Sequence, residues 1–439
     1  MIRQLIGAAA LACLFCSASI VRADDSVPPT AFSDQVDPAT IPARPDPAII
    51  DEAEIRLITP LLFTDKFAED SRLWIDGWLA QSYNFNPYMP ASRSNGPVGF
   101  IDRANEWRLN QWYVRAGRTI DPTLERFDFG GQVDALYGSD AEFVQALGLD
   151  RKIILDNKYY RMAIPQAFGS AYFPVACGLT LTAGKFYKPF GLDVPTAVGG
   201  FFPTKPYALV YGPFTLTGAT AALNVGENWS ILGGVVRGWD QWTDANNGLS
   251  GLSSIRWKST CGSTKFALSA LVGPEQDEPR VAFTGVNVPG RESALRALVC
   301  GTFEHRFSRN WRYAFQGDWG WQENATAAGD AAWYGAMQIL RYELNDCYSF
   351  GVRTEWFRDA DGFRVIPGRP SQPHPWTGTA ADYYAVSLGA QIRANAWMTL
   401  RPELRWDWQV KDNDLGPRAF DDGTKGQQFL AVVDFVIRY

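Results

Sequence analysis

The chain has 439 residues, 41 basic and 47 acidic side chains, a net charge of −6, 40 glycines, 27 prolines, 14% aromatic residues and two histidines. A mildly acidic balance without a basic cluster excludes a polyanion-binding protein, so nucleic acid is not an expected partner. Abundant turn formers and aromatics point to many extended elements, and the length suits either two or three ordinary domains or one large barrel.

Residues 1–23 start with Arg3, continue through an apolar stretch over 6–21 and end on Val21-Arg22-Ala23. This pattern predicts a secretory signal peptide with the mature chain starting near Asp24. Removing Arg3 and Arg22 leaves 39 basic against 47 acidic groups, or −8. Cys13 follows Ala10-Leu11-Ala12 like a lipoprotein cysteine, but the apolar run continues past it. Residues 24–71 form a leader rich in proline (Pro28, Pro29, Pro38, Pro42, Pro45 and Pro47) with little periodicity. Beyond the signal, no apolar run reaches the ~18 residues of a membrane-spanning helix, whereas a membrane-spanning strand needs only about 9–11.

From residue 72 the texture becomes alternating. Strands are expected near 72–83, 106–119, 125–137, 159–173, 178–190, 211–224, 229–240, 251–259, 264–273, 292–307, 311–323, 332–344, 348–358, 381–394, 397–410 and 427–439, with Pro165 and Pro402 each removing a ladder donor. That is about 16 strands, with 14 or 18 as alternatives. Tight connections such as Asp121-Pro122, Gly226-Glu227, Cys261-Gly262 and Asn345-Asp346 alternate with long ones such as 84–105, 138–158, 191–210 and 359–380. Short turns at one rim and long loops at the other describe an outer-membrane barrel.

The side-chain period of two divides each strand into faces. Met398, Leu400, Leu404, Trp406 and Trp408 oppose Thr399, Arg401, Glu403, Arg405, Asp407 and Gln409. Trp311, Tyr313, Phe315, Trp319 and Trp321 oppose Arg312, Gln316 and Asp318, and Phe127, Phe129, Val133 and Tyr137 oppose Arg126, Asp128, Gln132 and Asp134. Hydrocarbon tolerates neither the charges nor open edges, so the charged faces must line a wet interior. Parity assigns Arg126, Asp128, Asp134, Arg312, Asp318, Arg353, Glu355, Arg401, Glu403, Arg405, Asp407, Asp434 and Arg438 to that wall. Six basic and seven acidic groups predict a transverse field rather than strong selection for one sign of ion. The competing expectation is that many of them pair across strands.

The segments GWLAQSYNFNP (77–87), NEWRLNQWYVRAGRTIDP (105–122), FGGQVDALYGSDAEF (129–143), LTAGKFYKPFGLDVPTAVGGFF (181–202) and the aromatic end FLAVVDFVIRY (429–439) together resemble the OmpL-like β-barrel porins, the second of the β-barrel porin families. The resemblance runs from about residue 72 to Tyr439. It implies an all-β, transmembrane, antiparallel up-and-down barrel in the outer membrane of a Gram-negative bacterium. The terminal strand with Phe435, Ile437 and Tyr439 would be the signal read by the barrel assembly machinery. Outer-membrane lipids would surround the barrel, and a trimer would be its oligomer. A barrel this wide leaves an aqueous channel, so passive diffusion of small hydrophilic solutes is the expected function. Adhesion or surface recognition through the long loops, and a secreted carbohydrate-binding protein, are the alternatives. In many general porins the third loop folds inward; here that connection is 191–211, with Asp193 and Lys205 as candidate constriction charges.

No catalytic residue, cofactor or metal is expected. His305 shares parity with Phe303 and Phe307, and His374 sits among prolines without a partner. Glu403 and Asp407 would lie about 13 Å apart along a strand, beyond either glycosidase spacing. Asp412, Asp414, Asp421 and Asp422 lack the glycine and distal glutamate of a calcium loop. Cys177, Cys261, Cys300 and Cys347 have neither zinc-ligand spacing nor the setting of a disulfide framework.

Overall fold

The computed structural model describes residues 67, 70–153, 157–244, 246–275, 293–326, 329–365, 368–369, 372–373, 380–412 and 416–439. The expected signal peptide, almost all of the leader, His374 and Asp414 lie outside them.

Nineteen strands follow in order: β1 (Leu73–Phe85), β2 (Trp107–Arg118), β3 (Asp128–Gly138), β4 (Arg161–Ala163), β5 (Ala167–Phe173), β6 (Leu179–Tyr187), β7 (Thr215–Val225), β8 (Trp229–Trp239), β9 (Ser250–Lys258), β10 (Thr264–Pro274), β11 (Leu295–Arg306), β12 (Trp311–Thr326), β13 (Gly329–Glu343), β14 (Tyr348–Asp359), β15 (Gly368–Arg369), β16 (Gln372–Pro373), β17 (Ala381–Arg393), β18 (Met398–Lys411) and β19 (Gln427–Arg438). Seventeen belong to one sheet in which sequence neighbours pair antiparallel, and β19 returns to β1. The barrel is therefore closed, with β4 and β5 sharing one of its sixteen staves, while β15 and β16 form a small hairpin in a long loop. Closure is what lets strands cross hydrocarbon, because it leaves no row of unpaired backbone groups. At the seam, Gly77 and Tyr439 exchange two backbone hydrogen bonds of 2.9 Å.

The two prolines act differently. Pro165 lies in the gap between β4 and β5, where the chain leaves the ladder, and a bond from Asp134 N–H to Gln166 O at 2.9 Å carries the pairing across. Pro402 stays within β18 and pairs with Val433 on β19, while the β17 ladder skips Arg401 and Pro402. A missing N–H is tolerated where the strand needs no donor on that side.

The outward face carries Trp107, Trp112, Phe129, Val133, Ile231, Phe315, Trp319, Leu388, Leu404 and Trp406, all exposed to the exterior. His305 lies in this layer, its ring 4.7 Å from Phe307 and 6.3 Å from Phe303 by centroid. The main cluster of buried apolar residues is inside the barrel, where Phe190, Tyr207, Tyr211 and Phe214 from one long connection join Trp239, Trp333, Phe357 and Tyr383 from wall strands β8, β13, β14 and β17. One expected wall residue is displaced: Arg126 is exposed in the turn 119–127. Asp121 caps a short 3-10 turn over Pro122–Leu124 there, which delays β3 until Asp128.

Candidate functional site

The connection between β6 and β7, residues 188–214, folds into the lumen and is tied to the inner wall. Gln316 on β12 accepts from Leu192 N–H at 2.6 Å. Gln111 on β2 donates to Pro195 O and accepts from Ala197 N–H, both at 2.9 Å. Arg401 on β18 donates to Ala197 O at 2.6 Å and Gly200 O at 2.5 Å, and its other nitrogens grip Asp434 on β19. The loop tip carries Phe201 and Phe202, which lie against wall glycines. A Cβ at Gly351 would come within 2.5 Å of Phe201, and one at Gly389 within 2.9 Å of Phe202. Those two positions therefore need glycine for the close approach rather than for a turn.

Past the tip, Thr204 enters a network of buried charges. Its N–H and hydroxyl donate to Glu403 at 2.9 and 2.6 Å, while Arg353 donates to its carbonyl at 2.8 Å and to its hydroxyl at 2.7 Å. Arg353 also meets Glu355 at 2.8 Å, and Arg405 joins Glu355 at 2.9 Å to Asp407 at 2.8 Å. Tyr207 opens a single helical turn, Tyr207–Val210, by donating its N–H to Glu355 and its hydroxyl to Asp407, each at 2.8 Å. The side chains of Arg353 and Arg405 are 0% exposed. Buried ions are tolerated only when paired and hydrogen-bonded, and removing one partner of such a pair costs about 3–5 kcal/mol. The loop supplies part of what these wall charges need.

Parity thus places Arg353, Glu355, Arg401, Glu403, Arg405, Asp407 and Asp434 on the inner face, but they hold the loop or one another instead of standing free in water. Asp193 and Lys205 are paired with each other at 3.2 Å, and Lys205 also donates to Thr196 O at 3.1 Å, so they brace the loop's neck. Asp134 accepts from Tyr113, from Gln132 at 2.7 Å and from Gln166 at 2.9 Å. Asp128 meets Arg118 at 3.0 Å and Arg72 at 2.5 Å near the short-turn rim. Arg312 pairs with Glu343 at 3.0 Å, Asp318 accepts from Gln316 at 2.7 Å, and Arg438 is half-buried at the same rim. Thr204, Tyr207 and Gln111 escaped the sequence reading, which put Gln316 on the inner face but did not give its bond to the loop. The only signal for the loop contacts was a pair of inward-facing glycines, 351 and 389, on strands otherwise lined with larger residues.

An apolar exterior, a closed sixteen-stave wall, a charged inner face and a long connection folded into the lumen define an outer-membrane channel of the porin class. The chain belongs to the family described as "Putative beta-barrel porin-2, OmpL-like", which it matches over residues 72–439. Among solved structures, OprB of Pseudomonas putida superposes with a TM-score of 0.56 at 11% identity, covering 87% of this chain and 97% of that one. The outer-membrane channel DcaP of Acinetobacter baumannii gives 0.52 at 7% identity, covering 84% and 97%. The anion-selective porin from Comamonas acidovorans gives 0.51 at 9%, covering 84% and 99%. No curated protein sequence matches.

Proposed function

We propose that the protein conducts small hydrophilic solutes passively across the outer membrane, with residues 188–214 as a fixed internal partition that sets the bore. The observation that carries this reading is the inner loop's attachment to charged wall residues of β14 and β18. On this reading it narrows a lumen too wide for wall side chains to fill. In this reading the network around Thr204 is a latch, Asp193 and Lys205 hold the loop's neck, and no chemical step is involved. Outward-facing Phe435 and Ile437, with Tyr439 at the seam, would present the terminal strand to the assembly machinery. Lipids would cover the aromatic exterior, and a trimer would be the working oligomer. Reconstitution into planar bilayers tests the reading. Stepwise, ohmic conductance increments are expected, and a bilayer that stays sealed after verified insertion contradicts it.

A further inference from the structure

Arg353, Glu355, Arg401, Glu403, Arg405 and Asp407 of β14 and β18 are engaged by the inner loop, and Asp76–Arg115 and Asp128–Arg118 pair on β1–β3; a further group of charges near the short turns lies on the inner face of β9–β13. Near the turns, those five strands present Arg256, Lys258, Lys265, Arg306, Arg312 and Arg341 against Glu304 and Glu343, six cations to two carboxylates, a net of +4. The register sets like charges side by side. Lys258 is the cross-strand partner of Lys265, Arg306 of Arg312, and Arg312 of Arg341. Such partners hold their Cα atoms about 4.5–5.5 Å apart with side chains on one face. Their direction is fixed by contact: Arg341 lies over the Phe201 ring of the inner loop at 5.4 Å, and Arg256 donates to Pro189 O of that loop at 2.6 Å. Water reaches this surface, since Arg256, Lys265, Arg306 and Arg341 are half-buried and Lys258 is exposed.

Like charges directly opposite each other on a sheet are destabilising, and here such pairs fall at three of the four interfaces among these strands, with Lys265 opposite Glu304 at the fourth. Glu343 meets Arg312, and Glu304 lies within Coulombic reach of Lys265, Arg312 and Arg341, so cations outnumber carboxylates on this face by six to two. From this juxtaposition we infer that the vestibule is an anion-collecting site, which draws small carboxylate- or phosphate-bearing solutes to the partition from the short-turn side. Rows of basic side chains act this way in pores: they raise the local anion concentration, and arginine forks match both oxyanions. The inference rests on the channel reading and adds a solute class to it. It replaces the sign-neutral transverse field expected from the thirteen wall charges.

The test is the reversal potential across a bilayer under a potassium chloride gradient, with inorganic phosphate as a second probe. The wild-type channel should favour chloride over potassium. That preference should shrink between about 0.1 M and 1 M salt, as the screening length falls from roughly 10 Å to 3 Å. The double variant Lys258→Gln/Lys265→Gln should move the permeability ratio toward unity, and adding Arg341→Gln should move it further. Lys425→Gln, on the long-loop rim, should leave it in place. Phosphate added on the short-turn side should reduce wild-type current more than it reduces the current of the double variant. Because that variant relieves a like-charge contact, its heat-modifiable gel band should convert at the same temperature or higher. Cation preference in the wild type, or no shift in a folded variant, overturns the inference while leaving the channel intact. Absence of any conductance overturns both.

Discussion

Replacing Thr204 by valine removes one hydroxyl from the middle of the latch and keeps the side chain's shape. That hydroxyl donates to Glu403 at 2.6 Å and accepts from Arg353 at 2.7 Å and Arg405 at 3.2 Å, while the backbone bonds of Thr204 survive. A hydrogen bond to a charged group contributes about 1.5–3 kcal/mol, so the two short ones amount to about 3–6 kcal/mol. Water entering the lumen can solvate the exposed charges once the loop lifts, which favours the lower figure. At about 1.4 kcal/mol per factor of ten, about 3 kcal/mol corresponds to a rise of roughly a hundredfold in the lifted population. Single-channel recording reads this directly as brief excursions to higher conductance, about a hundred times more frequent in Thr204→Val. Thr204→Ser keeps the hydroxyl and should behave as wild type. Traces of the valine variant that match those of serine and wild type would show that the network does not hold the loop.

Three further outcomes follow from the same geometry. Deleting residues 195–204 should raise the main conductance level, and an unchanged single-channel current would mean that the loop does not set the bore. Gly351→Leu forces a side chain into the space of Phe201; at about 1–3 kcal/mol for overpacking, it should destabilise the docked tip and increase current noise, whereas a quiet trace counts against that packing. Ser263 and Ser259 hydroxyls beside the exposed thiol of Cys261, at 3.0 and 3.6 Å, hold its pKa down at about 7. The thiolate therefore gains ground as pH rises through that value, and the share of iodoacetamide alkylation that is lost in Cys261→Ser, with the exposed Cys177 and Cys347 still reacting, should reach half its maximal rate near pH about 7. A midpoint in the ordinary range for a free thiol contradicts the hydroxyl effect.

The barrel was legible because its cause is local. A period of two along each strand and alternating loop lengths are visible within a dozen residues, and they placed Arg401, Glu403, Arg405 and Asp407 on one face of β18 as the structure does. Pro165 marked a break and Pro402 did not, since the cost of a missing N–H depends on which neighbour needs it. Arg126 was misplaced because an Asp-Pro turn can close as a 3-10 turn and take up residues that parity counts as strand. The latch was not legible. Thr204 meets Arg353 and Glu403 across separations of 149 and 199 residues, and no periodic pattern encodes such a contact. The division of labour among the charges was hidden for the same reason: parity shows which groups face inward, and only tertiary contact shows which of them the loop has claimed.

Liposome swelling with sugars of graded size tests the central claim most directly, because it asks whether water and neutral solutes pass the internal partition at all. The account predicts swelling rates above those of protein-free vesicles that fall steadily with sugar size, and a shift of the cutoff to larger sugars when residues 195–204 are removed. Vesicles carrying the folded, heat-modifiable protein that swell no faster than empty ones, with every sugar and with the loop deleted, would contradict it.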